Sequence, residues 1–267
     1  MMVSSDVLQD TVARWVANNR AQITGNDAAF LSRVYQTGLT KYQERLRAIS
    51  FYGLRHVLDA GCGFGQWTLS LSGLNEAVSA CDISPARISA LQELALALGK
   101  KNIEAEVSSL EPLPYPDAHF DGVFCYSVLP LVGWREALRE IHRVAKPGGI
   151  IYVNANAIGY YANLWLNRPN ETEGYDARMQ VADAFVQTLE YERTGKFRGG
   201  CLMIDREDLI SFLAGLGFEQ IMSGGEGTLR LGAGGACPSP FFESQYYGLP
   251  GVYEVLARKP LLQGTRQ

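Results

Sequence analysis

The segment LDAGCGFGQWT places Gly61, Gly63 and Gly65 at alternate positions directly after the apolar run HVLDA. Glycine weakens strands and helices alike, so a cluster at a strand's end marks a sharp turn or a ligand lying against the backbone. A strand that passes through such a turn into a helix presents backbone N–H groups at the helix start, with no side chains to block a close approach. The spacing selects among ligands. A dinucleotide fingerprint, GxGxxG, needs glycine at position 66, where Gln66 stands, so a pyrophosphate is disfavoured. Two carboxylates accompany the glycines: Asp59 ends the first apolar run, and Asp82 ends the next, AVSACD, where it is placed to take both hydroxyls of a ribose. The alternative for each is to cap the turn that follows it.

Few other residues offer chemistry by type and spacing. Cys62, Cys81, Cys125, Cys201 and Cys237 are odd in number, scattered and never in a CxxC pair, which argues against a disulfide framework and against a zinc site. His56, His119 and His142 share no spacing that puts two on one face, so no metal is expected. The 267-residue chain carries 24 Lys plus Arg against 28 Asp plus Glu, a net charge of -4 without a basic run, and nucleic acid is not an expected partner. MMVSSDVLQDTVARW has no basic segment leading into an apolar signal core, and no apolar run approaches the roughly 18 residues that span a bilayer. The expectation is a cytoplasmic protein without a membrane partner.

The elements that must position these residues follow from periodicity. HVLDA, AVSACD, IEAEV, FDGVFCY and GIIYVNA read as strands, alternating with QWTLSLSG, SPARISALQELALALGK and GWREALREIHRVAK as helices. Such alternation predicts an α/β fold, a doubly wound, mostly parallel sheet covered on both faces. In the second helix Ile88, Leu91, Leu94, Ala95 and Leu98 share a stripe, Ser84 or Pro85 marks the start and Gly99 the end. Upstream, DVLQDTVARWVANN and AAFLSRVYQTGLTKYQERLRAIS form a helical cap over residues 1–50, broken at Gly25 and Asn26. Residues 157–200 interrupt the alternation as an inserted helical lid, two helices joined around Pro169. Asp205 caps DREDLISFLAGLG, and FEQIMSG and VYEVLARK complete seven strands, so that the core spans 51–156 and 201–260. A glycine- and aromatic-rich stretch over 224–251 separates the last two strands.

LDAGCGFG followed by CDIS, then LPYPDAHFDGVFCYSVL and EIHRVAKPGGIIYV in that order, resembles the cosubstrate site of class I S-adenosylmethionine-dependent methyltransferases of the small-molecule type. The resemblance is strong over 55–155 and topological over 201–259, and it implies the Rossmann-like version of the sheet. It implies that S-adenosylmethionine binds and leaves as S-adenosylhomocysteine. On this resemblance Asp59 helps to position the methionine amino group, and Gly61, Cys62 and Gly63 face the methionine and ribose. Asp82 holds the ribose hydroxyls, and Ile83 packs on adenine. Where relatives carry an acid for the adenine amino group this chain has Ser109, a departure that leaves adenine to Leu110 and its backbone. Cys125 and Tyr126 lie near the methionine end, Cys125 also reading as packing.

Methyl transfer needs the acceptor in line behind the methyl carbon with water excluded, so positioning supplies most of the rate. An oxygen or carbon acceptor also needs a base, and histidine is scarce: Pro130 stands where many relatives have one. The remaining candidates are tyrosines. Tyr35 and Tyr42, seven apart, are expected on one helix face over the methionine end, or packing that helix on the sheet. Tyr160 and Tyr161 belong to the lid, with Trp165 and Tyr175, and favour a flat or apolar acceptor. Tyr35, Tyr160 and Tyr161 are thus the catalytic candidates. The expected activity is methylation of an O, N or C atom of a small-molecule acceptor; a cosubstrate-binding scaffold and a nicotinamide-dependent oxidoreductase are the alternatives. Ser109→Asp is expected to leave S-adenosylmethionine affinity equal or tighter by calorimetric titration, and a large loss would put the segment in another register.

Overall fold

The computed structural model describes residues 5–21, 23–36, 38–169, 171, 174–231 and 240–261. It packs as two compact units, one running to Ser109 and joined by Leu231, the other beginning at Leu110. The first unit holds α1 (Ser5–Asn18), α2 (Gly25–Tyr35), α3 (Thr40–Ala48), β1 (His56–Ala60), α4 (Gln66–Ser72), β2 (Ala77–Asp82), α5 (Pro85–Ala97) and β3 (Ile103–Val107). The second holds β4 (Phe120–Cys125), α6 (Trp134–Val144), β5 (Ala145–Asn156), α7 (Ile158–Asn167), α8 (Ala177–Thr194), α9 (Arg206–Gly215) and β6 (Glu219–Gly225), then β7 (Gln245–Tyr246), β8 (Leu249–Pro250) and β9 (Val252–Arg258). Seven strands form one sheet in the order β3-β2-β1-β4-β5-β9-β6. β1 pairs with β2, β2 with β3 and β4 with β5 in parallel, while β9 runs antiparallel to both β5 and β6. This is the expected seven-stranded, mostly parallel sheet.

Local chemistry accounts for the helix that follows β2. Ser84 accepts the Arg87 amide at its N-cap, Pro85 occupies the first turn with its φ already set, and Ile88, Leu91, Leu94 and Ala95 are buried. Asp205 caps α9 in the same way, through the Glu207 amide. Leu8, Val12 and Trp15 of α1 and Leu31 and Tyr35 of α2 join the core that α5 forms with Phe64 of the glycine turn.

The helix read over residues 28–50 is two. α2 ends at Tyr35, Gly38 takes φ +68 with its amide bonded to the Tyr35 carbonyl at 3.1 Å, and α3 starts afresh at Thr40. Tyr35 and Tyr42 therefore do not share a helix face, because a left-handed glycine ends a helix that hydrophobic period alone would continue. In the second unit, α7 and α8 pack on each other through Tyr161, Leu164, Ala177, Val181 and Ala184. The segment 224–251 contributes the β7–β8 hairpin, whose turn residues Tyr247 and Gly248 both have positive φ, as a two-residue hairpin turn of type I′ requires. The hairpin lies against α7 so closely that a Cβ on Gly159 would stand 2.5 Å from the Leu249 carbonyl oxygen.

Gly65 has φ +84, and a Cβ there would run into the Leu91 side chain. Gly65→Ala is expected to cost about 2–4 kcal/mol, from the left-handed backbone and the overpacking together. Urea denaturation monitored by circular dichroism measures it.

Candidate functional site

The turn between β1 and α4 is held from inside. The amides of Gly61 and Cys62 both donate to the Cys81 carbonyl at 2.8 and 2.9 Å, and the Gly65 amide donates to the Cys62 carbonyl at 3.0 Å. The Gly63 amide donates to Asp82 Oδ2 at 2.9 Å, and the Ser84 amide donates to Asp82 Oδ1 at 2.9 Å. The expectation that these glycine amides point at a ligand is corrected: parallel pairing of β1 with β2 brings the Cys81 carbonyl and the Asp82 carboxylate beneath them, and they bind there. What the turn presents outward is a bare edge, since a Cβ on Gly63 would meet nothing within 4 Å.

Asp82 does the capping work weighed as its alternative role, yet each carboxylate oxygen keeps a lone pair beyond the amide it accepts. The residue is 6% exposed, and its neighbour Ile83 is 76% exposed, an apolar side chain standing in solvent directly past a buried carboxylate. Asp59, at the end of β1, is also buried and accepts the Thr68 hydroxyl on Oδ2 at 2.6 Å. Burial pushes its carboxyl up to about 7, against the Thr68 hydrogen bond and with the Asp82 charge adding to the rise. Gln66, only 8% exposed at the start of α4, has its Oε1 buried without a hydrogen-bond donor among the described residues.

The tyrosines of the N-terminal helices are corrected as acceptor-side groups. Tyr35 donates its hydroxyl to the Phe64 carbonyl at 2.7 Å, and Tyr42 donates to the Val34 carbonyl at 2.8 Å. Burial raises both phenols, Tyr42 to about 12, so neither serves as a base near neutrality. They fasten the helical cap: Trp15 and Phe30 pack on the Phe64 ring at 6.3 and 6.1 Å. Burial also pushes up the Cys62 thiol, and Cys81 to about 12, which leaves both as apolar packing. Ser109 is exposed, whereas Leu110 and Cys125 are buried.

In the second unit Tyr126 follows β4 and is half-buried. Its hydroxyl donates to Glu226 Oε1 at 2.8 Å, and Glu226 Oε2 accepts the amides of Phe241 at 2.7 Å and Phe242 at 3.3 Å. The next residue, Ser127, has φ +59 and donates its amide to Asn154 Oδ1 at 2.6 Å; the Nδ2 of this fully buried asparagine has no partner among the described residues. Tyr161 donates to the Leu202 carbonyl at 2.8 Å and lies 3.1 Å from Cys201 Sγ, and burial raises its phenol, so its place among the catalytic candidates is corrected to one in the α7–α8 core. Tyr160 is half-buried with its ring edge-on to Phe242, 6.1 Å between centroids, and burial raises its phenol too.

Sequence reading missed Gln66, Thr68, Asn154 and Glu226. Two had a legible signal: Asn154 is a polar residue directly after the apolar run IIYV, and Glu226 is the acid in GGEG. His142 is half-buried, with its ring edge-on to Phe218 at 5.1 Å. Among the described residues no cluster of His, Cys, Asp and Glu is arranged to hold a metal, and no helix is long and apolar enough to cross a membrane.

A parallel sheet whose first turn is glycine-rich and whose second strand ends in a buried carboxylate defines a nucleoside-binding Rossmann-like enzyme. Residues 58–153 match the model of a methyltransferase domain family. Over 245 residues the chain is 27% identical to a malonyl-[acyl-carrier protein] O-methyltransferase of Pectobacterium atrosepticum, covering 88% of this chain and 93% of that protein. It is 28% identical over 221 residues to the ubiquinone/menaquinone biosynthesis C-methyltransferase UbiE of Azotobacter vinelandii, covering 76% of this chain and 83% of that one. Among solved structures, the [4+2]-cyclase SpnF shares the fold with a TM-score of 0.57 at 22% identity, over 85% of this chain and 83% of that one. A geranyl diphosphate methyltransferase in complex with S-adenosylmethionine does so with a TM-score of 0.57 at 14% identity, over 89% and 92%. Residues 58–153 carry a class I methyltransferase domain, and the chain transfers a methyl group from S-adenosylmethionine. The residues present fit such a nucleoside: a bare edge at Gly63, an exposed apolar Ile83 beyond Asp82, and an orphaned acceptor on Gln66.

Because Asp59 is held neutral to higher pH in the folded state than in the unfolded chain, its favourable contribution is complete below about 4 and is lost as pH rises through about 7. Thermal melting of the ligand-free protein is expected to fall between pH 5 and 8, and Asp59→Asn to remove about 2–4 kcal/mol of that dependence. Denaturant titrations of both proteins at pH 5 and 8 check it.

Proposed function

We propose that the protein methylates a small-molecule acceptor, with the cosubstrate held at the ends of β1 and β2 in the first unit. The observation that carries the cosubstrate half is the pairing of a buried Asp82 with a solvent-standing Ile83. The free lone pairs of Asp82 take the ribose hydroxyls, Ile83 covers one face of adenine, and the backbone at Ser109 and Leu110 reads the adenine edge. Asp59, through its hydrogen-bonded surroundings, and Gln66 Oε1 accept from the methionine ammonium group. When bound, S-adenosylmethionine supplies a methyl group on a cationic sulfur, open to in-line attack. The protein's own contribution is to orient the acceptor and exclude water, which the aromatic side chains Tyr160, Phe241 and Phe242 suit.

Support for the acceptor's size comes from a sequence of net charge -4 without a basic run, and from the long helical segment over 157–200. The relatives' own names describe O- and C-methylation, of a malonyl group on a carrier protein in one case and in quinone biosynthesis in the other. We place the protein in the cytoplasm.

Calorimetric titration with S-adenosylmethionine, followed by transfer of its radiolabelled methyl group to an acceptor library, tests the reading. Asp82→Ala is expected to weaken binding at least tenfold, since each charge-assisted hydrogen bond to the ribose is worth about 1.5–3 kcal/mol. Asp82→Asn, which keeps an acceptor for one of the two turn amides, is the milder variant for comparison. An unchanged Kd in a folded Asp82→Ala protein would remove this residue from the site, and tight NADH binding without S-adenosylmethionine binding would restore the oxidoreductase reading.

A further inference from the structure

Helix α8 carries apolar residues on two opposite faces. Ala177, Val181, Ala184, Thr188 and Tyr191 are buried. On the other side Met179, Ala182, Val186 and Leu189 follow one another at steps of three, four and three, with Phe185 beside them, and all five stand in solvent. Met179 and Leu189 are each 67% exposed, Val186 56% and Phe185 39%. A surface helix ordinarily turns polar groups outward, and one that is apolar all round is ordinarily buried all round. The repeat on the outer face is the a/d seam of a coiled coil, a pattern that seats a second helix. At its N-terminal end the seam continues onto Trp165 of α7, 44% exposed, whose ring lies 5.3 Å from the Arg178 guanidinium and whose carbonyl accepts Arg178 Nε at 3.1 Å. These side chains leave on the order of 500 Å² of apolar surface in water, near the upper end for a monomer. With a polar rim around it, such a patch has the make-up of the roughly 800 Å² that one partner contributes to a standard interface.

We propose that this face pairs with the same face of a second copy of the chain, α8 against α8, antiparallel about a two-fold axis level with Ala184 and Phe185. The seam is complementary to itself in that direction. Met179 lies across from the partner's Leu189 and Ala182 from the partner's Val186, each contact made twice, so that every layer joins an a position to a d position. On one flank Phe185 meets the partner's Phe185 at the axis and Arg178 meets the partner's Glu192, opposite charges in register. The acids of the other flank are already engaged within the chain. Glu190 lies 3.9 Å from Arg193 and 3.7 Å from Arg198, and a Cβ on Gly200 would run into the Asp183 carboxylate, so that acid is directed at the Gly200 backbone. Acids along both flanks disfavour an anionic lipid surface as the occupant.

Sedimentation velocity of the full chain tests the pairing, with the wild-type protein expected to be a dimer at about 100 μM. Leu189→Glu enters the interface twice and is expected to weaken self-association at least about a hundredfold. Arg178→Glu and Glu192→Arg are each expected to weaken it about tenfold, and the double variant to return to within about threefold of the wild type. All these positions lie on the outer face, so circular dichroism and Tm at low concentration are expected to match the wild type. A monomeric wild-type protein at this concentration, or a dimer that Leu189→Glu leaves intact, would overturn the proposal. Failure of the double charge reversal to restore pairing would overturn the antiparallel register. Binding of the monomer to phosphatidylcholine–phosphatidylglycerol vesicles that Leu189→Glu abolishes would make the face a membrane seat instead. None of these readouts involves S-adenosylmethionine, so failure here leaves the methyltransferase reading where it stands.

Discussion

One carboxylate sets the shape of the turns that follow β1 and β2. Asp82 ties the Gly63 amide of one turn to the Ser84 amide of another, so the end of β2 and the loop after β1 form a single rigid corner. That corner explains the glycines. A backbone that must drop its amides onto the neighbouring strand and still leave a bare outer edge needs positive φ, and Gly61, Gly63 and Gly65 have 78°, 55° and 84°. It also explains the cost carried next door: Asp59, buried and close enough to feel the Asp82 charge, stays neutral to higher pH than an ordinary carboxyl. The corner is thus held by its own hydrogen bonds, with a buried carboxyl beside it that costs stability near neutral pH.

The second unit is organised by buried carboxylates as well. Glu254 of β9 accepts the Tyr152 hydroxyl and the Leu229 amide at 2.8 and 2.7 Å, and Glu226 accepts Tyr126 and two loop amides. A buried acceptor left without donors is costly, so these glutamates fix the course of the chain after β6 and hold the Phe241–Phe242 segment against Tyr126 and Tyr160. Their effect is to seat flat rings and phenol oxygens together in one place.

Much of the fold was legible because its signals are local. The seven strands follow from short apolar runs, and α5 announces itself by Ser84, Pro85 and its buried stripe. The break between α2 and α3 was less legible, since a helical period runs through it and only Gly38 marks the end. At the site, the aspartates and glycines were found by spacing, whereas the direction of the glycine amides was not. Which way an amide points depends on the carbonyl that pairs with it from a neighbouring strand, and the Cys81 carbonyl lies far from Gly61 in sequence.

By itself, then, the sequence determined the order of elements and the place of the glycine turn and the strand-end carboxylates, because propensity, capping and turn chemistry act over a few residues. The tertiary structure alone decided which partner each polar side chain binds. Tyr35, Tyr42 and Tyr161 proved to be fasteners for distant carbonyls, while Glu226, separated from Tyr126 by a hundred residues, became its partner. The physical reason is that a polar group's role is set by whichever partner folding brings within about 3 Å, and chain-distant pairings leave no periodic trace in the residues between.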